Sequence, residues 1–471
     1  MSRLRDIFLL GCATSLLAGC ATYRAEPIVP AQSAARFDAR TLDDPRLAGF
    51  IAAARPDDQG SGWTLDRLTL AALYFHPNLD IAYARAEVAK AAIRTAAQRP
   101  NPSLNLSPQY NATTMIPSPW TVGAAINLLV ETFGKRGDRT TEARDQADAA
   151  RFDITTAVWQ VRGGVRSALL DLWSADQHLD LARRRLEQQA QLFELLEHRL
   201  GAGEASGLDV AREAINRDQF TLAVRDAERA VATARTQVAS AVGLPAHAFD
   251  GVTINLDSLG SDRLAGASPA IGDLRQAALT GRSDVQAALA QYEASQSALK
   301  LQVANQYPNL SFGPGYTYDQ GDRKFSLPLT LDLPIFNQNQ GPIAEATARR
   351  KQAAAGFLAL QAQIIGAIDT TMASWQGATR SLATADALLA AARSRQARTI
   401  RLFQAGQIDR PTLLAGDLEV AAAELSRLDA AVAQRQALGQ IEDAVQQPLF
   451  GTGAPFAIPS TSPRRVEETP Q

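Results

Sequence analysis

Only four segments of the chain alternate apolar with polar or small residues at the period of two that marks a β-strand, too few to close on themselves. Leu104, Leu106, Pro108 and Tyr110 alternate with Asn105, Ser107, Gln109 and Asn111. After a loop carrying Pro117 and Pro119, Val122, Ala124, Ile126, Leu128 and Val130 alternate with Thr121, Gly123, Ala125, Asn127 and Leu129. A second pair follows the same rule. Leu310, Phe312, Pro314, Tyr316 and Tyr318 alternate with Ser311, Gly313, Gly315 and Thr317; past Gln320-Gly321-Asp322, Phe325, Leu327, Leu329, Leu331 and Leu333 alternate with Ser326, Pro328, Thr330 and Asp332. Strands at about 103–111, 121–130, 309–318 and 325–333 make two hairpins. Each run has roughly 9 to 10 residues, the length a tilted strand needs to cross a bilayer. A soluble hairpin on a helical body would give the same alternation, and the pattern alone leaves both open. In lipid, open sheet edges are excluded, so a four-stranded chain must oligomerise; single-chain barrels start at about eight strands, and a trimer would supply about twelve.

The two hairpins belong to a chain written twice. Leu73 to Leu79 opens a helical pattern that stops at Arg99-Pro100-Asn101-Pro102, and 206 residues on, Leu279 to Val285 opens another that stops at Gln306-Tyr307-Pro308. Arg199-Leu200-Gly201-Ala202-Gly203-Glu204-Ala205-Ser206 matches Leu402-Phe403-Gln404-Ala405-Gly406-Gln407-Ile408-Asp409 at a shift of 203. The repeats run over 64–245 and 271–448, joined by a Gly/Asp/Ser-rich linker at 246–270. An N-terminal segment, 20–63, and a C-terminal tail, 449–471, are rich in Pro, Ala and polar residues and read as extended or flexible.

The rest is helical. From Asp138 to Leu200 no proline intervenes, which predicts a helix of roughly 63 residues and about 95 Å, with Gly163-Gly164 the place where a break would fall. Leu172, Leu179, Leu186, Phe193 and Leu200 recur every seven residues, while Val224, Ala227, Val231, Ala234, Val238 and Ala241 alternate spacings of three and four. Leu414, Leu418, Ala421, Leu425, Leu428 and Val432 repeat the seam, so each copy ends in an antiparallel helical hairpin.

At the start, Arg3 and Arg5 precede an apolar run from Ile7 to Leu17, a secretory signal too short to span a bilayer. Leu17-Ala18-Gly19-Cys20 resembles a bacterial lipobox, which implies removal of residues 1–19 and lipidation, a palmitate anchor included, at Cys20. The only other cysteine is Cys12, so disulfide frameworks, Cys-rich zinc sites and thiol catalysis are excluded from the body. No run of about 20 apolar residues occurs. With 47 Lys+Arg against 49 Asp+Glu there is no field for nucleic acid. His76, His178, His198 and His247 are scattered, and no Gly-x-Ser-x-Gly, Walker or Rossmann pattern is present. No catalytic, cofactor-binding or metal-ligating residue is expected, and the chain reads as no enzyme.

The order helix, strand hairpin, very long helix, tight turn, helix, given twice, resembles the TolC-type outer-membrane efflux family over nearly all of the mature chain. The fold class is thus mainly α with a transmembrane β-barrel contribution. The resemblance implies a homotrimer whose barrel has about twelve strands, continued by a periplasmic helical tunnel of roughly 100 Å. It implies a location in the outer membrane of a Gram-negative bacterium, with lipid, a periplasmic adaptor (membrane fusion protein) and an inner-membrane resistance-nodulation-division pump as partners. Gly201, Gly203 and Ser206, with Ala405, Gly406 and Asp409, fall on the tips that dock the adaptor. Some members close the tunnel with aspartates where this chain has Thr412 and Ala415, so Asp409 and Asp417 are the candidate gate residues. Glu131-Thr132-Phe133-Gly134-Lys135-Arg136-Gly137 is similar to an element of the CzcC-like branch, outer-membrane partners of heavy-metal pumps. Gly134, Lys135 and Arg136 then mark the strand-to-helix junction, with the basic residues near lipid headgroups. The function implied is passive conduction, of divalent heavy-metal cations in the first reading. Drug or organic-solute efflux, or type I secretion, is the alternative within the family; a periplasmic adaptor or a structural coiled-coil lipoprotein is the alternative outside it.

Overall fold

The computed structural model describes residues 21–55, 62–112, 118–256 and 270–448. The signal segment, Cys20, Pro117, the second half of the linker and the C-terminal tail lie outside the described residues. The chain divides into two units, one ending at Thr41 and the other beginning at Leu42. In the first, helix α1 (Pro30–Asp38) begins on a proline, whose missing N–H costs nothing in a first turn, and it buries no side chain.

The second unit opens with α2 (Pro45–Ala54), capped by the Asp44 carboxylate and turning Leu47 and Ile51 inward. The stretch expected to be extended is therefore partly helical; a capped start and an i, i+4 apolar pair outweigh its proline content. Next come α3 (Leu65–Phe75), α4 (Pro77–Ala97), strands β1 (Ser103–Tyr110) and β2 (Trp120–Val130), α5 (Lys135–Gly201) and α6 (Gly207–Val242). The second copy has α7 (Ile271–Gly281), α8 (Ser283–Ala304), β3 (Leu310–Phe312), β4 (Gly315–Asp319), β5 (Asp322–Ser326), β6 (Leu329–Leu331), α9 (Gln340–Gln404) and α10 (Arg410–Val445). A short 3-10 turn, Ala246–Phe249, and the half-buried Val252, Ile254 and Leu256 pack onto the first core, so the described half of the linker stretch is built into that core.

Helices α5 and α9 have 67 and 65 residues, about 100 Å each. The first runs through Gly163-Gly164 without a break. Gly163 serves close packing instead: a Cβ there would fall 2.8 Å from Asp443 Oδ1, and one at Gly439 would fall 2.5 Å from the Arg166 guanidinium carbon. The heptad seams are buried in part, at Leu172, at Val224, Ala234 and Val238 and at Leu414, Ala421, Leu428 and Val432, whereas Leu200 at the tip is 38% exposed. Two larger cores stand one per copy, around Leu68, Leu169, Val238 and Leu244 and around Ile368, Met372, Trp375 and Ile441. Among the described residues, α9 contains an 18-residue window apolar enough by length and composition to cross a membrane. Its Ile364 and Ile368 face the second core.

The copies are joined where α5 meets α10. Arg162 and Arg166 reach Glu442 at 3.2 and 3.1 Å, and Arg166 also holds Asp443 at 2.6 Å. Burial of its Oδ1 pushes the Asp443 carboxyl up, against the pull of Arg166. Glu442 is 5% exposed, and removing it would take the carboxylate partner from the buried Arg162 and leave Arg166 with Asp443 alone. Glu442→Ala should lower stability by about 3 kcal/mol, read as a fall in Tm. Glu345→Ala, at a pair with side chains 72% and 62% exposed, should stay within about 0.5 kcal/mol. Equal shifts would show that the cluster does not join the copies.

Candidate functional site

The strands form one antiparallel sheet. β1 pairs with β2, and β2 pairs with β3 and β4, which pair in turn with β6 and β5. The third and fourth expected runs are each interrupted, at Gly313-Pro314 and at Leu327-Pro328, because proline has no N–H for the ladder. The register survives both gaps, since Gly313 donates to the Pro328 carbonyl at 3.0 Å and Ile126 to the Pro314 carbonyl at 3.1 Å. The sheet therefore behaves as four strands, with β1 at one open edge and β5 and β6 at the other.

Directly opposed residues share a face, and the pairing sorts most side chains by polarity, with Leu129 opposite Ser311 on the polar side and Arg323 opposite Tyr318 on the apolar side as exceptions. Leu104 faces Ile126, Leu106 faces Ala124, Leu128 faces Phe312, Phe312 faces Leu329 and Tyr316 faces Phe325, all on one side. Asn105, Ser107, Thr121, Gly123, Asn127, Ser311, Thr317 and Lys324 take the other side by the same alternation. Neither face is covered: Leu104 and Leu106 are both 64% exposed, and Phe325 is 83%. On the polar side Asp319 accepts from the Thr121 hydroxyl at 2.8 Å and from Lys324 at 2.7 Å. Aromatic pairs mark both ends, Tyr110 with Trp120 at 5.0 Å near the loop and Phe133 stacked on Tyr307 at 4.0 Å near the helices.

At the strand-to-helix junction, Phe133 and Gly134 have φ of 54° and 74°, the left-handed conformation that turns β2 into α5. Lys135 does not reach outward. It is 6% exposed and donates to the Tyr307 carbonyl at 2.6 Å and to Asn309 Oδ1 at 2.7 Å. It is thus a strut between the copies, and desolvation lowers its pKa. Arg136 is half-buried beside it. Arg139, which the sequence reading passed over, bonds Glu131 at 2.8 Å and the Ala96 carbonyl at 2.9 Å, fixing the end of α4. In the second copy Asn339 takes the left-handed position, at φ 63°, and donates to the Gln302 carbonyl at 2.7 Å.

The hairpin tips are equivalent in backbone and different in chemistry. Gly203 and Gly406 both lie in the left-handed region, at φ 78° and 68°, and both close the same reversal: Glu204 N–H donates to Arg199 O at 2.8 Å and Gln407 N–H to Leu402 O at 2.9 Å. Gly201 and Ala405 sit at the ends of the incoming helices α5 and α9. Ser206 then caps α6 through Asp209 N–H at 3.1 Å, whereas Asp409 caps α10 through Thr412 N–H at 3.1 Å. Asp409 also pairs with Arg199 at 3.0 Å, so the two tips meet. Asp417 is held inside its own hairpin, accepting from Gln396 at 2.6 Å. The other hairpin has a like bond, Gln189 to Glu213 at 2.6 Å, with Gln189 only 2% exposed. A buried glutamine three residues past Leu186 is the sequence signal for this bond. Among the described residues no group of three or more His, Cys, Asp or Glu side chains could hold a metal ion.

Known proteins share this pattern. A profile described as outer membrane efflux protein matches residues 70–244 and 274–445. The chain is 24% identical over 238 residues to the cobalt-zinc-cadmium resistance protein CzcC of Cupriavidus metallidurans, covering 50% of this chain and 55% of that protein. It is 28% identical over 324 residues to the fusaric acid resistance protein FusA of Burkholderia cepacia, covering 63% and 58%. The chain thus spans about half the length of the curated relatives it matches. The outer membrane protein VceC of Vibrio cholerae has the same fold, with a TM-score of 0.66 at 17% identity over 82% of this chain and 97% of that one.

The two faces and the tips can be probed separately. Single cysteines at Leu327, Leu329 and Leu331 should react with a lipid-soluble reagent in membranes, and cysteines at Ser326 and Thr330 with a water-soluble one; uniform labelling would remove the division of faces. At the tip, the Thr412 hydroxyl and N–H, then Arg199, hold the Asp409 carboxyl below the usual carboxylate range. Its contribution is complete above the unfolded value and is lost as pH falls through the lower folded one. Amide exchange at Thr412 and Leu413, corrected for intrinsic rates, should therefore stay slow down to about pH 4 and quicken below it. In Asp409→Ala it should be fast throughout, and a profile unchanged by the substitution would show that Asp409 is not the cap.

Proposed function

The chain belongs to the outer membrane efflux protein family, the TolC-type family its sequence resembles, and from that premise we propose that it is the outer-membrane channel of a tripartite efflux system. The observation that carries the reading is the sheet, bare on an apolar and on a polar face and open at both edges. Three copies joined edge to edge would give about twelve strands, with apolar faces to lipid and polar faces to a water-filled lumen. The long helices would continue that lumen across the periplasm. In this reading the tips at Gly201 to Ser206 and Ala405 to Asp409 dock a periplasmic adaptor, and Cys20 carries the lipid anchor. Asp409 and Asp417 are the gate residues of this reading. The chain itself performs no catalysis; an inner-membrane pump of the resistance-nodulation-division type supplies the energy.

Divalent metal cations are the substrate class we favour. The polar face carries Asp319 and Asp322 against Lys324, an acidic excess that favours cations in a pore. CzcC is a cobalt-zinc-cadmium resistance protein, which supports the same class. FusA, a fusaric acid resistance protein, keeps organic-solute export as the second reading. A strain lacking the chain, with and without a plasmid copy, should become selectively sensitive to divalent metal salts, and the copy should restore resistance. Sensitivity to hydrophobic drugs alone would replace the metal reading with the organic one and leave the channel in place.

A further inference from the structure

A cavity of about 460 Å3 opens where β2 runs into α5, and its two walls differ in kind. Leu128 and Val130 of β2 and Phe312 of β3 form one wall, and all three lie on the apolar face of the sheet. Arg99, at the end of the α4 segment, and Arg136, in the first turn of α5, form the other. Glu131 is the one acidic side chain among the described residues lining it, and its carboxylate is taken by Arg139 at 2.8 Å. The Lys135 ammonium bonds to Tyr307 and Asn309. The two arginines are left as an excess of positive charge over an apolar floor. The cluster also stands at a helix N-terminus, whose dipole disfavours cations until an anion joins them.

We propose that this cavity holds one anionic phospholipid, its phosphate between the Arg99 and Arg136 guanidinium groups and an acyl chain along Leu128, Val130 and Phe312. The inference rests on the sheet spanning the outer membrane, and the lipid would come from the leaflet nearest the helices. Guanidinium groups match phosphate oxygens in pairs, while a soluble anion would gain nothing from the Phe312 ring. The apolar wall is continuous with the lipid-facing side of the sheet. Beside the cavity, Leu128 to Val130 pair with β3 alone, because β1 reaches β2 only as far as Asn127.

The test is native mass spectrometry of the full-length protein in detergent, titrated with phosphatidylglycerol or with zwitterionic phosphatidylcholine. Phosphatidylglycerol should bind once per chain, about tenfold more tightly than phosphatidylcholine, and inorganic phosphate should not displace it. Arg99→Gln with Arg136→Gln should abolish that preference, Arg99→Lys with Arg136→Lys should restore part of it, and Phe312→Ser should weaken both lipids. Equal affinity for the two lipids, a preference untouched by the glutamine pair, or displacement by inorganic phosphate would overturn the site. Flotation with phosphatidylglycerol vesicles separates the premises. A wild-type chain that fails to float overturns the membrane reading and the site with it, whereas flotation with headgroup preference absent overturns the site alone.

Discussion

The edge of a β-sheet is a row of unpaired N–H and C=O groups, and in a medium without water only another strand can satisfy them. This constraint explains why so much of the chain is devoted to elements other than the sheet. The strands bury little within one chain, and β1, β5 and β6 are exposed along their whole lengths. The packed interior lies elsewhere, in the two helical cores and in the seams of the hairpins.

Duplication supplies the parts, and a few polar contacts tie the copies together. Lys135 reaches from the first copy to the segment entering the second sheet hairpin, Thr132 donates to the Pro308 carbonyl at 2.6 Å, and Arg162 and Arg166 grip the end of α10. His178 adds a bridge to Asp429 at 2.7 Å. These contacts join residues far apart in sequence. Several are half-buried or better, where an ion pair costs more to break than at the surface.

Period-two alternation was legible because each strand presents one side to each of two different media, so the faces could be read from Leu104 to Leu333 without a structure. The interruptions were half legible: Pro314 and Pro328 stand in the sequence, but only the pairing shows that the gaps Gly313-Pro314 and Leu327-Pro328 face one another and leave the register intact. Gly163-Gly164 looked like a break because glycine weakens a helix, and became a contact because Asp443 needed the room. Lys135 looked like an interfacial cation because charge pattern carries no direction; its partners are backbone and side-chain oxygens more than 170 residues away. The cap residues Ser206 and Asp409 were legible from local chemistry alone, whereas the link from Asp409 to Arg199 required the folded chain.

The contact between the two tips is an exposed ion pair, with side chains 33% and 52% accessible to solvent. Such pairs contribute about 0.2 to 1 kcal/mol, comparable to thermal energy. The hairpins behind them are zipped along 36-residue helices, so the stiffness of each arm far exceeds the strength of the clasp between arms. Mechanically this is a pair of rigid levers with a weak latch at their ends. Parting the tips requires almost no work, and salt alone, by screening that pair, weakens the latch without softening the levers.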